Sequence, residues 1–143
     1  MKPKILVSAC LLGTPCRYDG KSKPCNEVIS LGEKYELIPV CPETLGGLST
    51  PRPPAEIKGD SVIRIDGVDV TNEYNLGAEK SLKIAKLHNI KVAVLKEKSP
   101  SCSNNQVYDG TYSRRLIKGL GITAKLLIKN GINVLNEQEL NKL

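Results

Sequence analysis

Three of the five cysteines in this sequence each close an apolar run. KILVSAC ends at Cys10, ELIPVC at Cys41 and VAVLKEKSPSC at Cys102, so each run reads as a strand that emerges into a thiol. Thiolates are soft ligands, suited to copper(I), zinc or iron–sulfur clusters. Four at one place make a closed site, whereas a cluster held by three cysteines exposes one iron. Free cysteine is also among the most buried residue types, so small hydrophobes at strand ends fit the spacing equally well. Cys16 and Cys25 lie in polar loop sequence. No C-x-x-C pair occurs and the one histidine, His88, falls in a helical stretch, which leaves little basis for a structural zinc site.

Other reactive groups flank the thiols. Glu43 follows Cys41 by two residues and suits proton transfer beside a metal, or a charge at a helix start. Ser99, Ser101 and Ser103 bracket Cys102, where hydroxyls orient a substrate or satisfy loop backbone. Gly46, Gly47, Gly119 and Gly121 permit close backbone approach to a ligand, or ordinary turns. Cys10 is trailed by a Tyr-Asp-Gly at Tyr18–Gly20 and Cys102 by another at Tyr108–Gly110.

The elements that must position these groups follow from pattern and breakers. Strands are expected over Lys4–Ala9, Tyr35–Val40, Ile90–Leu95 and Ile132–Leu135, the first a dense run typical of a buried parallel strand. A short helix is expected near Asn26–Gly32, capped by Asn26, and a long one over Asn72–His88, capped by Thr71, with Tyr74, Ala78, Leu82 and Ala85 on one face. Another opens at Ile122 or Thr123 and runs to Lys129 before Gly131, with a final turn over NEQELNKL. Leu45–Ile57, with three prolines, reads as stiff irregular chain carrying Arg52 and Glu56. Asp66-Gly67 predicts a hairpin between Val62–Ile65 and Val68–Val70. The alternation gives an α/β fold, an open and mostly parallel sheet flanked by helices, as one domain over residues 1–143. Ligands of such sheets bind beyond the carboxyl ends of the strands, where Cys10, Cys41 and Cys102 all fall.

Composition narrows the partners. The aromatic share is 3%, without Trp or Phe, so the core is built from Ile, Leu, Val and Ala. Such a chain offers no stacking platform for single-stranded nucleic acid. A net charge of +6, with clusters such as KEK at 96–98, is a solvated basic surface or steers an anion; RNA is permitted but not favoured. The basic start and short apolar run are broken at Ser8 and Gly13, so no signal peptide is read. Nothing approaches the roughly 20 apolar residues of a membrane span. A cytoplasmic protein with reduced thiols is expected.

SACLLGTPCRYDG, PVCPETLGGLSTPRPPAEI, DVT before a GA-containing helix, and LKEKSPSCSNNQVYDGTY together resemble the thiouracil desulfidase family. The resemblance spans Lys4 to about Val134. It implies a Rossmann-like domain with a [4Fe-4S] cluster on Cys10, Cys41 and Cys102. Glu43 of P-C-P-E and Ser101 of S-P-S-C match catalytic positions, Cys16 is a reserve ligand, and Cys25 has no motif support. Ser103 departs from the glycine of S-P-S-C-G. The implied reaction converts the thiocarbonyl of a small thiolated nucleobase, of the 4-thiouracil type, to a carbonyl plus hydrogen sulfide, with the cluster a Lewis acid and not an electron carrier. A desulfidase for thiolated nucleosides or tRNA, or for another sulfur compound, and a non-enzymatic iron–sulfur carrier or redox sensor are the alternatives.

Overall fold

The structure, a computed structural model, describes residues 2–143. Four parallel strands form the central sheet: β1 (Lys4–Ser8), β2 (Glu36–Val40), β5 (Val92–Leu95) and β8 (Asn133–Asn136). Their order is β2-β1-β5-β8. Apolar residues on both faces of β1 explain its central place. Ile5 and Val7 pack with Val28 and Val94 on one side, and Leu6 packs with Ala93, Leu95 and Leu127 on the other. β2 is one of the two edge strands and carries Pro39, which an inner strand would not tolerate.

Four helices flank the sheet: α1 (Asn26–Ser30), α2 (Pro42–Leu45), α3 (Thr71–Leu87) and α4 (Ile122–Lys129). The chain leaves β1 toward β2, then crosses back through α3 to β5 on the other side of β1. This reversal opens a crevice at the carboxyl ends of β1 and β5. Tyr74, Ala78 and Ala85 on α3 are buried, and Leu82 packs against the core, as the helical spacing predicts. Among the described residues, no helix is long and apolar enough to cross a membrane.

Several local expectations are corrected. Cys25, not Asn26, occupies the cap position of α1, and neither it nor Val70 before α3 makes a side-chain cap bond. Thr71 is the first residue of α3; its hydroxyl accepts the Val62 N–H at 2.9 Å. The Asp66-Gly67 hairpin does form, with the Arg64 N–H on the Val68 carbonyl (2.8 Å) and the Val70 N–H on the Val62 carbonyl (2.9 Å) around an Ile63–Asp69 bridge. An additional arm precedes it: β3 (Ala55–Lys58) pairs antiparallel with β4 (Ser61–Arg64) around Gly59, where irregular chain is expected. No proline follows Pro54 within β3 or β4, so every residue of both strands has a donor for the ladder. A second small hairpin, β6 (Gln106–Tyr108) with β7 (Leu116–Lys118), lies in sequence that reads as polar loop.

Candidate functional site

A cavity of about 470 Å³ occupies the crevice beyond the strand ends. Cys10, Cys16, Cys41 and Cys102 all line it, together with Glu43 and Tyr74. Cys10 sits in the one-turn helix Ala9–Leu12 that follows β1 directly. Cys41 is extended (φ −125°, ψ 97°) and stands at the N-cap of α2, where Pro42 starts the helix because the first turn needs no N–H there. This places Glu43 in the first turn of α2, beside Cys41. Cys25 lies outside the cavity and donates to Glu27 at 3.3 Å, and His88 lies beside Lys4.

Cys102 is carried by a loop tied down by its own hydroxyls. The Ser99 Oγ accepts the N–H groups of Ser101 and Cys102, each at 3.1 Å. The Ser103 hydroxyl, fully buried, donates to the buried Glu97 carboxylate, which also accepts from Asn136 at 2.9 Å. Serine at 103 thus anchors the loop where glycine could not. Ser101 is fully buried as well, and its hydroxyl pairs with that of Thr123 at 2.7 Å. The structure therefore turns Ser101 away from the cavity, and of the serines around Cys102 it is Ser99 that lines it.

The thiols differ in acidity. Burial pushes Cys10 up to about 11 and Cys102 up to about 12. Hydrogen bonding from the Cys16 thiol, helped by Thr44, brings Cys41 down to about 6, while the same bond and burial raise Cys16. When protonated, Cys41 instead points its S–H at the Cys16 carbonyl, 3.7 Å away.

Glu43 is held by two partners at one oxygen. Tyr74 donates to Oε2 at 2.6 Å, and Arg52 reaches the same atom with Nη2 at 3.2 Å. Among the described residues Oε1 has no hydrogen-bond partner. The Arg52 guanidinium also donates to the carbonyls of Cys16 (3.1 Å) and Ser49 (3.0 Å) and to the Thr50 hydroxyl (3.1 Å). Burial and the Glu43 charge push the Tyr74 phenol far above its usual range, so it stays a donor. The one sign of Tyr74's role in the sequence is a tyrosine where the apolar face of α3 would accept leucine.

Glycines near the site serve chain packing. A Cβ on Gly46 would stand 1.9 Å from the Glu73 carbonyl oxygen and one on Gly77 1.9 Å from that of Pro42, so both glycines let α2 lie against α3. A Cβ on Gly121 would meet Ser101 at 2.4 Å. At Gly46 and Gly121 the expected approach of backbone to ligand is thus an approach of chain to chain, whereas Gly47, at φ +95°, serves a turn. Glu56 lines the cavity and accepts the N–H groups of Gly110 (2.9 Å) and Tyr112 (3.1 Å). Both Tyr-Asp-Gly tyrosines, Tyr18 and Tyr108, reach the cavity, which is ringed by Arg17, Lys23, Lys98 and Arg114.

Known proteins are similar to this chain. A Bacillus subtilis (strain 168) relative, the uncharacterized protein YbbK, is 42% identical over 97% of this chain and 99% of its own length. The solved structure of the [4Fe-4S]-dependent thiouracil desulfidase TudS superposes with a TM-score of 0.94 at 46% identity, covering 99% of this chain and 95% of that one. The family model of 2-thiouracil desulfurase matches residues 5–139, nearly the whole sheet and every cavity-lining thiol. By these matches and the fold they share, the chain belongs to the 2-thiouracil desulfurase family.

Proposed function

We propose that this protein is a [4Fe-4S]-dependent desulfidase that converts the thiocarbonyl of a thiolated pyrimidine base, of the 4-thiouracil type, to a carbonyl with release of hydrogen sulfide. The observation that supports it most is the convergence of Cys10, Cys41 and Cys102 with Glu43 on one cavity. The donor set suits a cluster. Among the described residues, no three His, Cys, Asp or Glu side chains are near enough to share a single metal ion. A cluster instead takes each thiolate on a separate iron. Cys10, Cys41 and Cys102 would hold it, leaving an open iron as the Lewis acid toward the thiocarbonyl sulfur.

The chain's own groups supply the proton chemistry. Tyr74 and Arg52 hold Oε2 of Glu43, so Oε1 is the oxygen left to take a proton from water or to serve the ring nitrogen. Ser99 lines the cavity where the base would sit, while Ser101, bonded to Thr123, positions the loop. The test is anaerobic reconstitution with iron and sulfide, followed by the decay of 4-thiouracil absorbance. Iron near four per chain and steady decay are expected, and Glu43→Gln should keep the iron and lose the decay. Loaded protein that leaves the thiobase untouched would refute the reading.

The cationic, tyrosine-bearing rim favours a second reading, a substrate larger than the base, such as a thiolated nucleoside or nucleotide. Comparing kcat/KM for free base and nucleotide separates the two.

A further inference from the structure

Four thiols line the cavity, one more than the proposed cluster needs. The surplus thiol is not placed at random. Cys16 is 7% exposed, lines the cavity with Cys41 and packs in the same cluster of side chains. The Cys16 backbone is clamped in place as well, because its carbonyl accepts both Arg52 Nη2 at 3.1 Å and Cys41 Sγ at 3.7 Å. The Cys41 sulfur thus stands against the backbone of Cys16, an approach that suits a sulfur–sulfur bond, which needs two cysteines on neighbouring stretches of backbone.

From this geometry we infer that Cys16 and Cys41 are a disulfide-forming pair, closed by a low-molecular-weight disulfide when no cluster is bound. Cys41 is the more exposed partner and reacts first. Its sulfur attacks one sulfur of the small disulfide, forming a mixed disulfide and releasing one small thiol. The Cys16 sulfur then attacks the Cys41 side of that bond and releases the second. Two protein thiols are oxidised, one small disulfide is reduced to two thiols, and the two cysteine protons leave with them. The closed pair removes Cys41 from the ligand set, so cluster loading requires its reduction. A bound cluster protects Cys41 in turn. The inference takes from the proposed function only the ligand role of Cys41.

Glutathione disulfide is the probe, applied anaerobically to the full reduced chain before and after iron loading. The unloaded chain should lose two of its five thiols and yield a peptide pair joining Cys16 to Cys41, while the loaded chain keeps all five. Iron uptake by the oxidised chain should be lost and return after dithiothreitol. Cys16→Ser should bind iron like the wild type when reduced, and stop at the mixed disulfide on Cys41 when oxidised. Bonds joining Cys10, Cys41 or Cys102 to one another, or no loss of thiols, would overturn the pairing. So would a reduced Cys16→Ser protein that binds no iron, which would make Cys16 a ligand. A wild-type chain that takes up no iron although its Cys16–Cys41 bond forms would instead fail the cluster reading alone.

Discussion

Replacing Arg52 by methionine should cost the fold about 3–5 kcal/mol, the loss expected when one partner of a buried ion pair is removed. The basis is geometric. The Arg52 side chain is 4% exposed, that of Glu43 is 17% exposed, and they meet at 3.2 Å. Without the guanidinium, Glu43 keeps only the Tyr74 hydroxyl, and the carbonyls of Cys16 and Ser49 lose a donor. Unfolding entropy of about 2.1 cal/mol/K per residue gives about 0.3 kcal/mol/K for 143 residues, so the melting point should fall by roughly 10–17 °C. Urea and thermal unfolding of the reduced full chain, followed by circular dichroism at matched iron content, would measure it. A chain of this length is short enough for two-state treatment. Adding Glu43→Gln should recover part of the loss, because the stranded charge is gone. A cost under about 1 kcal/mol, the value of an exposed pair, would refute the reasoning. So would a double variant whose costs simply add.

Gly46→Ala should destabilise the chain by about 1–3 kcal/mol, since its Cβ falls on the Glu73 carbonyl and must push α2 from α3. An unchanged urea midpoint would refute that packing. Ser99→Ala should slow desulfuration more than Ser101→Ala, whereas Ser101→Ala should cost about 1 kcal/mol of stability through the orphaned Thr123 hydroxyl; the reverse ranking in turnover would return Ser101 to the cavity. Hydrogen bonds from Lys142 and Asn104 hold Glu139 at about 2, below its ordinary 4.5. The unfolded chain therefore protonates first as pH falls, so this stabilisation is complete above about 4.5 and is lost as pH drops through about 2. Glu139→Gln should flatten that acid limb of the urea midpoint, and an unaltered limb would remove Glu139 as its source.

The sequence by itself determined the main elements of the sheet and the identity of the reactive groups. Apolar density marked β1, β5 and β8, and the thiols and Glu43 could be named because side-chain type and neighbouring residues are local properties. Prolines likewise told where irregular chain begins, although they overstated where it ends: Ala55 regains a donor at once and opens β3. Short strands such as β6 and β7 were invisible, because three residues are too few to show a period of two.

Only the tertiary structure decided which groups meet. Spacing along the chain could not choose among the three serines around Cys102, since the loop's turn places Ser99 on the cavity and buries the other two. Nor could it tell that Arg52 and Tyr74 converge on one oxygen of Glu43, or that Cys16 stands against Cys41. Those pairings join segments 9 to 31 residues apart. They exist because the chain reverses at β1 and folds its strand-end loops onto one crevice, a consequence of the crossovers that no local pattern encodes.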